Sequence, residues 1–135
     1  MIHYETDLTV RYYECDPMGI VHHAEYVRYF ECARDKMISE MGYSMQDCAA
    51  DNIAFPVSSI DLKYHRPAKF DDVLRITAEI KEMPMARLKV HQQIFNQNGD
   101  LCVEGNITLG FLNTLTGRVM RCPEKLLNLF ESINK

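Results

Sequence analysis

The sequence predicts an α+β domain built as one strand, one long helix, a run of antiparallel strands and a closing helix. Three observations carry this. Residues 24–41 place Tyr26, Phe30, Ala33, Met37 and Met41 on one helical stripe. From Ile60 onward the apolar period falls from about 3.6 residues to about 2, the period of a strand. The breaks between these later runs are short, as at Pro84 and at Asn98-Gly99, so successive runs are expected to lie antiparallel.

The elements follow in order. Residues 5–13 read as the first strand, with Leu8, Val10 and Tyr12 alternating against Thr9 and Arg11. Asp16-Pro17-Met18-Gly19 fits a type I turn, with Asp first, Pro second and Gly fourth. The helix over 24–41 is about 27 Å long at ~1.5 Å per residue. Glu25, Arg28, Asp35, Lys36 and Ser39 lie off its apolar stripe, and Gly42 is placed to stop it. A short helix is expected over 44–51. Ile60, Leu62 and Tyr64 then alternate with polar residues, as do Leu74, Ile76, Ala78 and Ile80. Leu88, Val90, Gln92 and Ile94 form a third run. Val103, Ile107, Leu109 and Phe111 form a fourth, with Gly105 and Gly110 inside it. These four runs are expected to make a meander, giving five strands in all. Pro123 opens a last helix over 123–134. One long helix cannot cover both faces of such a sheet, so an uncovered face or edge is expected to meet another subunit.

The chain has 135 residues, which suits a single domain over 1–135. Hydrophobic residues make up 47% and charged residues 25%, the balance of an ordinary folded domain rather than a disordered one. A net charge of -4 and a pI near 5.7 argue against bulk attraction to nucleic acid or to an anionic membrane. An anionic ligand would need a local basic cluster. The N-terminus is polar, with no apolar signal core, and no stretch approaches the ~18 apolar residues of a membrane span. The five cysteines are odd in number and form no CxxC pair. They read as reduced thiols of a cytoplasmic protein.

The chemistry is concentrated in Tyr13-Glu14-Cys15-Asp16-Pro17-Met18-Gly19-Ile20-Val21-His22-His23-Ala24-Glu25-Tyr26. Here a strand ends, the chain turns and the long helix begins. A helix start leaves backbone N–H groups unpaired and partly positive, so it can hold a developing oxyanion. Asp16, seven residues before His23 across a tight turn, can face the same carbonyl as base or nucleophile. Gly19 lets a substrate approach the backbone closely.

This stretch resembles the active-site motif of hot-dog-fold thioesterases of the 4-hydroxybenzoyl-CoA thioesterase type, and of the related Tol-Pal-associated acyl-CoA thioesterases. Tyr64-His65-Arg66-Pro67-Ala68-Lys69-Phe70-Asp71-Asp72 is similar to that family's strand-to-strand connection. The order of elements agrees along nearly the whole chain. The resemblance implies a hot-dog fold, with a five-stranded antiparallel sheet wrapped around the long helix and a C-terminal helix. It implies dimers, often paired into tetramers, with sites at the dimer interface. It places the catalytic carboxylate on Asp16, the oxyanion donor on the backbone N–H of His23 and the turn glycine on Gly19. The family often has Asn where this chain has Glu25, which would change the charge and preference of the site.

Each of these residues also has a plainer role open to it. Asp16 suits its turn whatever the function. Adjacent His22 and His23 point about 100° apart on a helix, so they share a metal poorly and no metal is expected. Cys15 is a conceivable nucleophile, but Asp16 beside it would raise its pKa, and packing is favoured. Tyr26 and the rest of the helix stripe fit the core, a few of them doubling as substrate contacts. Arg66, Lys69, Arg87, Lys89, Arg118 and Arg121 could hold CoA phosphates or simply be solvated; Arg66 and Lys69 gain weight from the second motif.

The function expected is cofactor-free hydrolysis of an acyl-CoA thioester, or of one on acyl carrier protein. Asp16 would act either as nucleophile or as general base. A non-catalytic acyl-CoA binding module on the same fold is the alternative, and a hot-dog hydratase ranks below it.

Overall fold

A computed structural model describes residues 1–134. The chain runs β1 (Ile2–Thr9), a 3₁₀ turn (Tyr12–Glu14), α1 (Glu25–Glu40), α2 (Met45–Ala50), β2 (Ile53–Ala54), β3 (Val57–Tyr64), β4 (Val73–Ile80), β5 (Leu88–Phe95), β6 (Leu101–Leu109), β7 (Phe111–Asn113), β8 (Arg118–Met120) and α3 (Glu124–Ile133). Five strands form an antiparallel sheet in the order β1-β4-β5-β6-β3. Helix α1 lies across it, chiefly over β1 and β4. Its buried face carries Tyr26, Tyr29, Phe30, Ala33 and Met37. These meet Leu74, Ile76, Ile80, Ile94 and Ile107 from the sheet, all fully buried. Each such side chain contributes about 1.5–3 kcal/mol of burial, so this contact is the main stabiliser of the fold. A sheet wrapped about one long helix is the hot-dog arrangement, and α3 closes the chain as expected.

Local chemistry sets the ends of the helices. Gly42 takes φ +103°, which stops α1. Ser44 and Asp47 cap α2 reciprocally: Asp47 N–H donates to Ser44 Oγ (3.1 Å) and Ser44 N–H donates to Asp47 Oδ2 (2.8 Å).

Three expectations need correction. The first strand ends at Thr9 rather than 13, because Tyr12–Glu14 coil into the 3₁₀ turn. The four later strands are not one meander. The long edge of β4 is already taken by β1, from Ile2↔Ile80 to Thr9↔Val73, so β3 pairs with β6 at the far edge of the sheet. The last apolar run is two strands. It breaks at Gly110, whose N–H donates to Pro56 O (2.8 Å), and Phe111 begins a separate small sheet in the order β2-β7-β8.

The outer edge of β3 has no partner within the described chain. Its apolar residues Val57, Ile60 and Tyr64 are 43%, 41% and 56% exposed. Gly105 on β6 lies where the layers are tightest: a Cβ there would overlap Leu62 Cδ2, sit 3.0 Å from Asp61 O and 3.3 Å from Phe30 Cε2.

Candidate active site

The segment after the 3₁₀ turn folds back on itself as a small hairpin. Cys15 bridges Val21, Asp16 N–H donates to Ile20 O (2.9 Å), and His22 N–H donates to Glu14 O (2.9 Å). Gly19 N–H closes the turn onto Asp16 O (3.0 Å), as the sequence predicts. Gly19 has φ +80°, and no atom lies within 4 Å of where a Cβ would stand. The left-handed backbone favours glycine, and the space above it is open. Asp16 is half-buried. Its Oδ1 accepts from Met18 N–H (2.8 Å) and Ile20 N–H (3.4 Å), while Oδ2 has no partner among the described residues. One carboxylate oxygen is thus held and the other is free. The backbone N–H of His23, just ahead of α1, likewise finds no acceptor among the described residues. The rings of His22 and His23 stack at 4.2 Å.

The second motif docks onto this hairpin. Val21 N–H donates to Ala68 O (2.8 Å), Phe70 N–H donates to Gly19 O (3.2 Å), and Ile20 bridges Lys69. Ala68 N–H in turn donates to the Tyr26 hydroxyl (3.1 Å). Two stretches some fifty residues apart therefore build one surface. Tyr26 is buried beneath it, its hydroxyl used on Ala68 and its pKa raised by that burial. Glu25 opens α1, with its N–H on His22 O (2.9 Å). Arg66 Nη1 pairs with Asp100 Oδ2 at 3.4 Å on the surface, and Lys69 N–H donates to Asp72 Oδ2 (2.8 Å). Both basic side chains line a polar cleft of about 280 Å³ that also contains Asp72 and Asp100. Arg87, Lys89, Arg118 and Arg121 stand at the opposite end of the sheet, and none forms an ion pair among the described residues.

Sequence reasoning missed Glu14. It is buried, and its Oε1 accepts from Arg11 N–H (2.8 Å) and from the Tyr29 hydroxyl (3.0 Å). Arg11 Nη1 lies 3.7 Å from its other oxygen. Glu14 therefore ties the base of the hairpin to α1. The available signal was an acidic residue two positions before Asp16, with Tyr29 on the buried helical stripe. Burial pushes the Tyr29 hydroxyl far above its ordinary value, and the bond to Glu14 adds to this, so it stays a donor. Burial, then Glu14 and Asp16, raises the Cys15 thiol, which keeps it protonated and a poor nucleophile. No three His, Cys, Asp or Glu side chains among the described residues group as metal ligands.

The sequence matches the family model of the Thioesterase-like superfamily over residues 10–130. The chain belongs to that superfamily. The long-chain acyl-CoA thioesterase FadM of Escherichia coli K12 is 37% identical to it over 132 residues, covering 97% of this chain and 99% of the relative. The acyl-CoA thioester hydrolase YbgC of Escherichia coli CFT073 is 31% identical over 122 residues, covering 90% and 91%. A crystal structure of a DHNA-CoA thioesterase from Staphylococcus aureus superposes with a TM-score of 0.91 at 25% identity, covering 99% of this chain and 92% of that one.

Proposed function

We propose that this protein is a one-domain acyl-CoA thioesterase whose reaction is carried by the free oxygen of Asp16. The observation behind this is the unequal bonding of that carboxylate. Backbone N–H groups fix Oδ1, so Oδ2 is aimed and available. In one route Oδ2 bonds to the thioester carbon, the C–S bond breaks, CoA leaves as thiolate and takes a proton, and water then hydrolyses the mixed anhydride. In the other, Oδ2 takes a proton from water as the water oxygen adds to the carbonyl, and the proton passes to the departing sulfur. In both, the His23 N–H receives the developing oxyanion, Gly19 leaves room for the carbonyl, and Glu25 borders the site with a negative charge. Arg66 and Lys69 are the nearby cations available to the CoA phosphates, and the Tyr26 ring supports the wall. No cofactor takes part. The thiol carrier is CoA or acyl carrier protein.

The unpaired, partly apolar edge of β3 supports a homodimer, with a homotetramer formed from two. Pairing β3 with β3 of a second copy in antiparallel fashion would bring the far end of that copy beside this Asp16 loop. Light scattering at micromolar concentration should show no monomer. The five free thiols suit the cytoplasm.

Asp16→Asn tests the chemistry. The amide oxygen can accept the same bonds from Met18 and Ile20, so the hairpin should stay intact while the reacting oxygen is lost. The expected outcome is a fall in kcat of at least about a hundredfold, with KM and melting temperature nearly unchanged. A folded Asp16→Asn protein with wild-type turnover would remove the carboxylate mechanism and leave a binding module.

A further inference from the structure

We propose that the cavity beside the C-terminal half of α1 receives the far part of a long acyl chain, and that Arg34 selects chains carrying an uncharged oxygen there, as hydroxyl or ketone. This rests on the thioesterase reading and deepens it to a substrate class.

The cavity has a volume of about 270 Å³ and is walled mainly by apolar groups, among them Met37, Ile38, Ile53, Phe55 and Leu109. At roughly 30 Å³ per water it would hold about nine waters, or a comparable number of chain carbons. The face of α1 that lines it carries Glu31, Arg34, Asp35 and Ile38. Followed back by steps of three and four, the same stripe passes Val27 and Ala24 and reaches the helix start beside His23. A chain whose thioester sits at His23 can therefore run along one side of the helix into the cavity. From residue 23 to residue 34 is about 16 Å at ~1.5 Å per residue. Arginine leans back toward the helix N-terminus by up to a turn, about 5 Å. With roughly 1.3 Å gained per carbon from ~1.5 Å C–C bonds, the guanidinium falls level with about carbons 9 to 13.

Arg34 is unusual for a wall of this kind. It is only 7% exposed, yet it forms no ion pair among the described residues. Its Nη1 donates to Gln92 Oε1 (3.0 Å). Gln92 is fully buried and cannot turn away, since its Nε2 donates to Phe30 O (3.0 Å) and Thr77 O (3.3 Å). The other guanidinium N–H groups have no acceptor among the described residues, where no fully buried side-chain nitrogen or oxygen is left unpartnered. These N–H groups must therefore keep access to open space, which the cavity supplies. Burial pulls the Arg34 pKa down, and Glu31 and Asp35 oppose it. With two carboxylates already beside one guanidinium, a third on the ligand would be repelled, whereas a neutral oxygen accepts a bond without that penalty. A bare hydrocarbon tail would instead close over N–H groups that have lost water and gained nothing.

The test is a matched series on the wild-type protein: octadecanoyl-CoA, its 10-hydroxy, 12-hydroxy and 12-oxo forms, its 3-hydroxy form, and the ω-carboxy form. The distal hydroxy and oxo esters should exceed the parent in kcat/KM by at least about tenfold, the least that a lost buried hydrogen bond costs. The 3-hydroxy and ω-carboxy esters should show no such gain. Arg34→Met should bring the distal ratio close to one while kcat for hexanoyl-CoA, too short to reach, is retained. Arg34→Lys, which keeps the charge, should hold part of the preference and guards against a folding defect in the methionine variant. A wild-type ratio near one, or a ratio that survives Arg34→Met, overturns the proposal. So does a change in oligomeric state in Arg34→Met with the ratio intact, which would assign the spare donors to a second copy of the chain. Failure to hydrolyse any acyl-CoA would refute the thioesterase reading instead, and calorimetric binding of the 12-hydroxy and parent esters would still decide the role of Arg34.

Discussion

Glu14 offers a quantitative test of how the reactive hairpin is held. Glu14→Gln keeps an acceptor for both Arg11 N–H and the Tyr29 hydroxyl. It loses only charge assistance, the difference between bonds of ~1.5–3 and ~0.5–1.5 kcal/mol, so about 1–2 kcal/mol of stability. Glu14→Ala strands two buried donors at ~1–3 kcal/mol each and should cost about 3–5 kcal/mol. Tyr29→Phe leaves Glu14 its bond to Arg11 and should cost about 1–2 kcal/mol. Because Glu14 and Tyr29 share a bond, combining Glu14→Gln with Tyr29→Phe should cost about 1 kcal/mol less than the sum. Urea unfolding followed by circular dichroism measures all four, as the chain has no tryptophan to report by fluorescence. Turnover supplies the independent reading. A hairpin slackened by about 1 Å moves Asp16 out of line, so kcat should fall roughly ten- to a hundredfold while KM changes little. The reasoning fails if glutamine is as damaging as alanine, if the double variant is additive, or if folded Glu14→Ala turns over normally.

Other predictions are simpler. Cys15→Ser should keep most activity, with a modest loss of stability, because the thiol only packs and reaches Arg11 O at 3.7 Å; a collapse of turnover in the folded variant would make Cys15 the nucleophile. Gly105→Ala should lower stability by about 1–3 kcal/mol, since Phe30 and the Asp61 carbonyl cannot both retreat, and an unchanged unfolding midpoint would contradict that packing. The pKa of His3 is raised above its ordinary 6.5, first by its bond to Glu5 and also by Glu79, against a desolvation that lowers it. Its contribution to stability is therefore complete below 6.5 and is lost as pH rises through the raised value. The stability gap between wild type and His3→Gln should narrow as the buffer is taken alkaline, and a gap independent of pH would refute this.

Much of the fold could be read because its signals are local. The stripe through Tyr26, Phe30 and Met37 marks α1 to within a residue or two, and Asn98-Gly99 marks the turn between β5 and β6. The position of β3 could not be read, since its alternation of Ile60, Leu62 and Tyr64 fits either side of the sheet. What decides it is that β1 occupies β4, a long-range pairing that runs from Ile2↔Ile80 to Thr9↔Val73. The small β2-β7-β8 sheet escaped notice because strands of two or three residues have no measurable period. In the site, the Asp16-to-Gly19 turn was legible from turn chemistry alone. Glu14 and the Arg34–Gln92 pair were not, because polar residues that are satisfied across space leave no spacing to detect.

The dependence of the Asp16 hairpin on Ala68 and Phe70, and of β1 on β4, also bears on the order in which the protein comes into being. On the ribosome, β1 emerges long before residue 80, its far partner in the register with Ile2. At about 5–20 residues per second, the wait lasts roughly four to fourteen seconds. Throughout it Tyr4, Leu8 and Val10 have no sheet to join, and Val21 N–H has no Ala68 carbonyl to meet. The nascent N-terminal third therefore holds the reactive residues without their arrangement. The active site is assembled by the middle of the chain, after its own residues have been made.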